Sequence, residues 1–194
     1  MREAFSRLGA TSLELRHKHL PFFLYPDMPA ARDDDYHLPL RWGERLAAIG
    51  YPREPLAALG RSVGLELNFD AEGSSTLDSH RLLLFAEEHG KAGELREALG
   101  QRYFVRGERL ADREVLLDAA DSVGLRGASE VLAEPAAYQE GVVEAVRAAR
   151  AQGIHSIPVF HFRSGGFETT LRGSSSVEEF HETFLAIEAH WAAR

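Results

Sequence analysis

The sequence predicts an α/β fold in which a long run of helices interrupts a small sheet. Three observations predict it. Leu13 and Leu15 alternate with Glu14 and Arg16, the two-residue period of a strand. Ile157 to Phe162 and Phe167 to Leu171 are β-rich runs on either side of the turn Arg163-Ser164-Gly165-Gly166, the pattern of a hairpin. Val177, Phe180, Phe184, Ile187 and Trp191 then recur at intervals of three and four, the stripe of an amphipathic helix that follows the hairpin.

The elements follow in order. Met1 to Leu8 reads as the tail of a helix stopped by Gly9, with Phe5 and Leu8 on one face. The first strand is expected over Ser12 to Phe23, and Pro21, Pro26 and Pro29 rule out a central strand in the run that leaves it. Ala30 to Tyr51 is polar and turn-rich. Its Asp33-Asp34-Asp35 reads as a solvated loop, since a hard cation needs converging oxygen ligands. Pro55 to Val63 is a helix with proline in its first turn and Gly64 at its end, and Leu65 to Phe69 is a short extended piece. Ser75 and Asp78 have the spacing of a capping box that opens a helix through His89, closed by Gly90. Helices are expected over Glu94 to Phe104, from the N-cap Asp112 to just before Gly124, over Ala128 to Leu132, and over Pro135 to Gln152. Ser175 and Glu178 form a second capping box before the last helix. Residues 1–194 thus read as a single domain, with a helical insertion over about 30–152.

Composition narrows the function. Hydrophobic residues make up 44% of the 194, enough for a real core. The net charge of −8 repels nucleic-acid phosphates, and the arginines are scattered among acids, so no nucleic-acid partner is expected. There is no cysteine, which removes disulfides, thiolate metal sites and thiol nucleophiles together. The N-terminal residues have no apolar core of the signal-peptide type. No apolar run approaches the roughly 18 residues of a membrane span, so a cytoplasmic protein with no membrane partner is expected. Neither a Gly-rich phosphate loop, a Gly-x-Ser-x-Gly elbow nor a His-Glu-x-x-His motif is present.

Four stretches carry a resemblance. They are Pro21-Phe22-Phe23-Leu24-Tyr25-Pro26-Asp27-Met28-Pro29, Ser75-Thr76-Leu77-Asp78-Ser79-His80-Arg81-Leu82, Tyr103-Phe104-Val105-Arg106-Gly107 and Gly153-Ile154-His155-Ser156-Ile157-Pro158-Val159-Phe160. In order and spacing they resemble the DsbA-like thioredoxin family, most closely its FrnE-type branch. That superfamily also holds 2-hydroxychromene-2-carboxylate isomerase and the kappa-class glutathione transferases. Asn is usual in the branch at the position of Tyr25. Members of the family begin with a strand and a Cys-x-x-Cys or Ser-bearing turn, then the first helix. This sequence begins inside that helix, so the resemblance implies a thioredoxin-like fold of DsbA type that lacks the first strand and the redox segment.

The resemblance implies roles for particular residues. Ile157-Pro158 matches the cis-proline loop that faces the family's active site; a trans proline opening an edge strand is the plainer alternative. Ser174, Ser175 and Ser176 precede the last helix, where glutathione-binding relatives hold a carboxylate; a plain N-cap is the alternative. His80 and Arg81 are candidate ligand contacts, with His80 as a candidate base, set against a structural role in tying the helical insertion to the rest. His17, His19 and His161 suggest zinc only by the alternation common to strands, and no metal is assigned. No catalytic residue is assigned.

The expected function is therefore that of a protein in an oxidoreductase family by descent, without redox cysteines, acting as a non-redox binding or assembly module. The alternative is a glutathione-dependent isomerase or transferase, glutathione being the one cofactor left open. A small thiol compound or a peptide is the expected ligand. An absent central strand would leave unpaired backbone groups costing about 1–3 kcal/mol each, so something must fill the gap: the sheet closes up, a second copy in a homodimer lends a strand, a partner chain supplies one, or the natural protein carries a further N-terminal segment.

Overall fold

Residues 177–192 set six phenylalanine, leucine, isoleucine, valine or tryptophan side chains into a helical period, and half of that stripe is buried against a hairpin. The computed structural model describes residues 1–11, 13–33 and 35–194. By its internal contacts the chain falls into two units, one of Met1–Leu20 with Ala148–Arg194 and one of Pro21–Arg147.

The first unit contains α1 (Arg2–Ser6), the antiparallel strands β1 (Val159–Ser164) and β2 (Phe167–Arg172), and the last helix, α9 (Val177–Ala192). Gly165 and Gly166 have φ of +52° and +86°, as a two-residue primed turn requires. The strands are therefore longer, and the turn shorter, than the sequence suggests. Gly165 has a second reason to be glycine, because a Cβ there would lie 2.2 Å from the Trp191 ring. The core is aromatic. Phe162 meets Phe184 edge-on at 5.7 Å, Phe160 meets Phe180 at 5.0 Å and Phe5 of α1 meets Phe184 at 5.2 Å. Burial of each such ring stabilises by about 1.5–3 kcal/mol.

Two expectations for this unit are corrected. Leu13 and Leu15 keep their alternation, half-buried on the aromatic core while Glu14 and Arg16 face out, yet the described part of Ser12 to Phe23 forms no strand. Ser12 lies outside the described residues. A strand is defined by its ladder, and Leu13 to Arg16 have no backbone partner among the described residues. The capping box sits one residue later than expected. The Ser176 hydroxyl accepts from the Glu179 N–H at 3.1 Å, and the Glu179 carboxylate accepts from the Ser176 N–H at 2.7 Å. The run Ser174-Ser175-Ser176-Val177-Glu178-Glu179 permits both registers, and an ion pair of Glu178 with Arg7 at 3.1 Å accompanies the second.

The other unit is helical. It contains α2 (Trp42–Ala48), α3 (Arg53–Ser62), α4 (Leu77–Glu88), α5 (Ala92–Gly100), a π-helical turn over Gln101–Arg106, α6 (Arg113–Ser122) and α7 (Ala128–Ala133). The helix α8 (Gln139–Ala151) begins in this unit, and the boundary falls within it. Leu82, Leu95 and Leu116 are fully buried at its centre.

Helix α2 lies in a stretch whose composition suggests loop. It is fixed from outside, by Trp42 stacked on Phe69 at 4.9 Å and by the Trp42 and Gly43 N–H groups donating to the Ala71 and Phe69 carbonyls. Leu65 to Phe69 forms no strand, and only Arg41 and Glu72 make an isolated bridge nearby. The box expected at Ser75 and Asp78 does not form, because Asp78 accepts from Arg81 and Thr76 takes the N-cap position. Helix α8 starts at Gln139, four residues later than expected. Tyr138, at φ +60°, interrupts the run from Pro135, and the Glu134 and Ala137 carbonyls accept from Arg81. Among the described residues no helix is long and apolar enough to cross a membrane.

Ser176→Ala removes one half of the observed box and should lower stability by about 1 kcal/mol in thermal or urea unfolding. Ser175→Ala should stay within about 0.5 kcal/mol of wild type. Equal losses for both variants would contradict the observed register.

Candidate functional site

The hairpin places two of the candidate segments side by side. Val159 pairs with Arg172 at its open end, and one step further the Pro158 carbonyl accepts from the Gly173 N–H at 2.9 Å. This bond joins the loop before β1 to the start of the Gly173–Ser176 connection. The Ile157–Pro158 bond is cis, as the resemblance implies. Both residues are exposed, with 53% of Ile157 accessible. The structure thus brings Ile157 and Pro158 together with Ser174, Ser175 and Ser176.

The three serines differ. Ser176 is committed to capping α9. The hydroxyls of Ser174, which is exposed, and Ser175, half-buried, have no hydrogen-bond partner among the described residues. The helix end itself has little left for an anion. The Ser176 N–H donates to Glu179, the Glu179 N–H donates to Ser176, and the Glu178 carboxylate bonds its own N–H. That internal bond, followed by Arg7, holds the Glu178 carboxyl below its ordinary range. Two carboxylates in the first turn already answer the helix dipole. What remains is a loop with an exposed apolar side chain, a proline and two free hydroxyls, which suits a neutral extended chain better than a carboxylate.

His80 and Arg81 belong to the other unit. Arg81 is 3% exposed and its guanidinium is filled by the protein. Nε donates to the Ala137 carbonyl at 2.7 Å, Nη1 to Asp78 at 2.6 Å, and Nη2 to the carbonyls of Val131, at 2.5 Å, and Glu134. It braces the α7–α8 connection against α4, a structural duty that leaves no face for a ligand. His80 lies against the Phe23 ring at 5.6 Å, and its Nε2–H donates to the Phe22 carbonyl at 3.2 Å. Burial pushes its pKa down from the ordinary 6.5, and the Phe22 carbonyl opposes that only partly. The ring is therefore neutral near pH 7 and ties the Phe22-Phe23 segment to the start of α4.

No motif or spacing points to a second arginine brace. Arg45, 7% exposed, donates to the Tyr103 hydroxyl at 2.8 Å and to the carbonyls of Pro39 and Leu40. Gly73 lies against its guanidinium, where a Cβ would come within 2.7 Å. This explains the tyrosine of the Tyr103-Phe104 motif as a structural partner. Burial raises the pKa of that phenol. His17 and His19 meet edge-on at 5.4 Å, whereas the His161 ring pairs with the Thr170 hydroxyl at 2.9 Å. Among the described residues no three histidine or acidic side chains converge as metal ligands, and Asp34 of the acidic run lies outside them.

Three comparisons with known proteins bear on this geometry. The model of the DSBA-like thioredoxin domain matches residues 2–185. The chain is similar to the crystal structure of a probable DsbA oxidoreductase from Streptomyces coelicolor, with 27% identity and a TM-score of 0.65, over 88% of this chain and 73% of that one. No curated protein matches.

Arg81→Met strips three carbonyls of their donor and should cost about 3 kcal/mol or more in urea unfolding, at roughly 1–3 kcal/mol per buried group. Arg81→Lys should recover only part of this, because an ammonium cannot span the same carbonyls. A loss for Arg81→Met under about 1 kcal/mol would contradict the bracing role. The His80 shift has a definite sign. The unfolded chain takes up a proton near 6.5 that the folded one refuses, so stability falls as pH drops from about 6.5 through the lower folded value. His80→Gln, which can still donate to Phe22, should flatten this part of the stability–pH curve. Parallel curves for the two proteins would refute it.

Proposed function

The chain belongs to the DSBA-like thioredoxin domain family, and from that premise we propose that it binds an extended, neutral peptide segment at the Pro158 loop and does not exchange disulfides. Its 194 residues contain no cysteine, so no thiol–disulfide exchange can run on them. One observation carries the binding reading. Exposed Ile157 and Pro158 lie beside the unpartnered hydroxyls of Ser174 and Ser175, joined by the Gly173–Pro158 hydrogen bond. Ile157 supplies apolar contact and the serines supply donors and acceptors for a peptide backbone. The proposal places the protein in the FrnE-type branch and in the cytoplasm, as a binding or assembly module.

The second reading is a glutathione-dependent isomerase or transferase. The free hydroxyls of Ser174 and Ser175 favour it, since they offer donors to a bound tripeptide. The self-capped start of α9 weighs against it, because the glutathione carboxylates would meet Glu178 and Glu179 there.

Two titrations separate the readings. Calorimetry with a thiol-blocked insulin B chain should show binding that Ile157→Asp weakens at least tenfold, and glutathione at millimolar concentration should give no heat. Saturable glutathione heat that Ser174→Ala and Ser175→Ala abolish would replace the peptide reading with the enzymatic one. Insulin reduction by dithiothreitol should run at its background rate; acceleration by this chain would remove the non-redox reading.

A further inference from the structure

Helix α3 is seated on the helical unit by one narrow face. Gly60 is buried there, and a Cβ at that position would lie 2.9 Å from the Leu65 carbonyl oxygen and from the Leu67 side chain. At the start of the helix, Arg53 lays its guanidinium over the Phe69 ring at 5.8 Å. With about 3.6 residues per turn, Pro55, Ala58 and Ser62 then lie opposite Gly60. Leu59 and Val63 fall on one flank, and Glu54 and Arg61 fall on the other. All seven are exposed. Leu59 is 62% and Val63 67% accessible, and Ile49 and Tyr51, which precede the helix, are exposed as well. Ser62 is the polar member of the stripe. Its hydroxyl donates to the Leu59 carbonyl at 2.7 Å, so the stripe can lose its water without orphaning that donor.

The charged flank identifies what covers this face. Glu54 and Arg61 form an ion pair at 2.5 Å, although the seven residues between them span about 10 Å of helix. Each side chain therefore reaches along α3 toward its middle, and the pair forms a dipole parallel to the helix axis beside Ala57 and Ala58. A twofold axis through that point turns the helix end for end and keeps the charged flank on its own side. Glu54 of one copy then meets Arg61 of the other, twice, and the four groups close an alternating ring. A parallel arrangement would instead set carboxylate against carboxylate. On the opposite flank the same axis joins the two Leu59 side chains into one apolar patch. Ala58 stands at the crossing, small enough for helices to approach to about 8–10 Å.

We propose that α3 is the contact surface of a homodimer, in which two copies pack their α3 helices antiparallel about the Glu54–Arg61 pair. A second copy carries the matching charge order by symmetry, whereas another polypeptide would have to present the same order in its own sequence. An exposed ion pair contributes little in water. Flanked by a second pair and an apolar patch, it is screened less and sets the direction of the partner. One ten-residue helix is a small interface, so the dimer is weak and forms with rising concentration. The surface belongs to the helical unit, and the proposal does not rest on peptide binding at the Pro158 loop.

The experiment is sedimentation velocity of the full chain over a concentration series from about 5 to 500 μM, the range of a small transient interface. The mass should rise from that of one copy toward two. Leu59→Asp, Glu54→Arg and Arg61→Glu alter exposed side chains, so each should raise the dimer Kd at least tenfold while the circular dichroism stays that of wild type. An equimolar mixture of Glu54→Arg with Arg61→Glu should recover the dimer, because every carboxylate then faces a guanidinium. Sedimentation as a single copy at every concentration would overturn the proposal. A dimer that none of the three variants weakens would overturn it in favour of another face. A mixture that stays monomeric while the wild type dimerises would overturn the antiparallel arrangement and the proposal with it.

Discussion

The contact between Phe162 and the Phe180–Phe184 face of α9 is the interaction on which the hairpin unit depends. A two-stranded hairpin is marginal in water, and this one has no third strand among the described residues to stabilise it. Its stability must come from one face, where Phe160 and Phe162 meet the rings of α9 edge-on. That packing fixes the pleat, and the pleat fixes both ends of the hairpin. At the open end it sets Pro158 against Gly173, and at the turn it brings Ser164 within reach of Trp191. A one-residue slip would turn Phe162 to solvent and exchange inner for outer backbone groups.

The helical unit rests on a different kind of constraint. Arg81 takes carbonyls that a continuous helix would have used for itself, ending α7 and delaying α8 in one stroke. A guanidinium can do this because its donors diverge in a plane and remain charged at every relevant pH. Arg45 repeats the device at Pro39, Leu40 and Tyr103. Buried cations are costly alone, and each is answered by carbonyl dipoles, with Asp78 adding a partly exposed carboxylate to the first. Two of the family-like stretches, those around Arg81 and Tyr103, therefore encode scaffolding.

The sequence revealed those parts of the fold whose cause is local. The stripe of α9, the double glycine of the hairpin and the glycine-closed ends of α3, α4 and α8 are each decided within a few residues. What it concealed was decided at a distance. Helix α2 is fixed by Phe69 and Ala71, more than twenty residues away, and the late start of α8 by a side chain on α4. The strand expected at Leu13 has the right pattern, yet a ladder also needs a neighbour. Of the site, the cis bond at Pro158 was legible through the resemblance, and the capping register was ambiguous because three serines precede two glutamates. The duties of His80 and Arg81 rest on Phe22, Val131 and Ala137, which no spacing rule connects to them.

These features together support the proposed reading, in which a thioredoxin-like frame with no thiol of its own binds a polypeptide. A helix start holds an anion through free N–H groups and an unopposed dipole. Here the described start of α9 is closed by Ser176 and two glutamates, so it presents negative charge where a bound carboxylate would need positive. The exposed groups that remain at the Pro158 loop are apolar side chains, hydroxyls and peptide groups. Such groups recognise a polypeptide backbone by hydrogen bonds at regular spacing and select among sequences by the side chains packed between them. These are the groups that the proposed peptide binding calls on, and the most demanding element of the unit is the hairpin pleat, because its register decides which of them face outward.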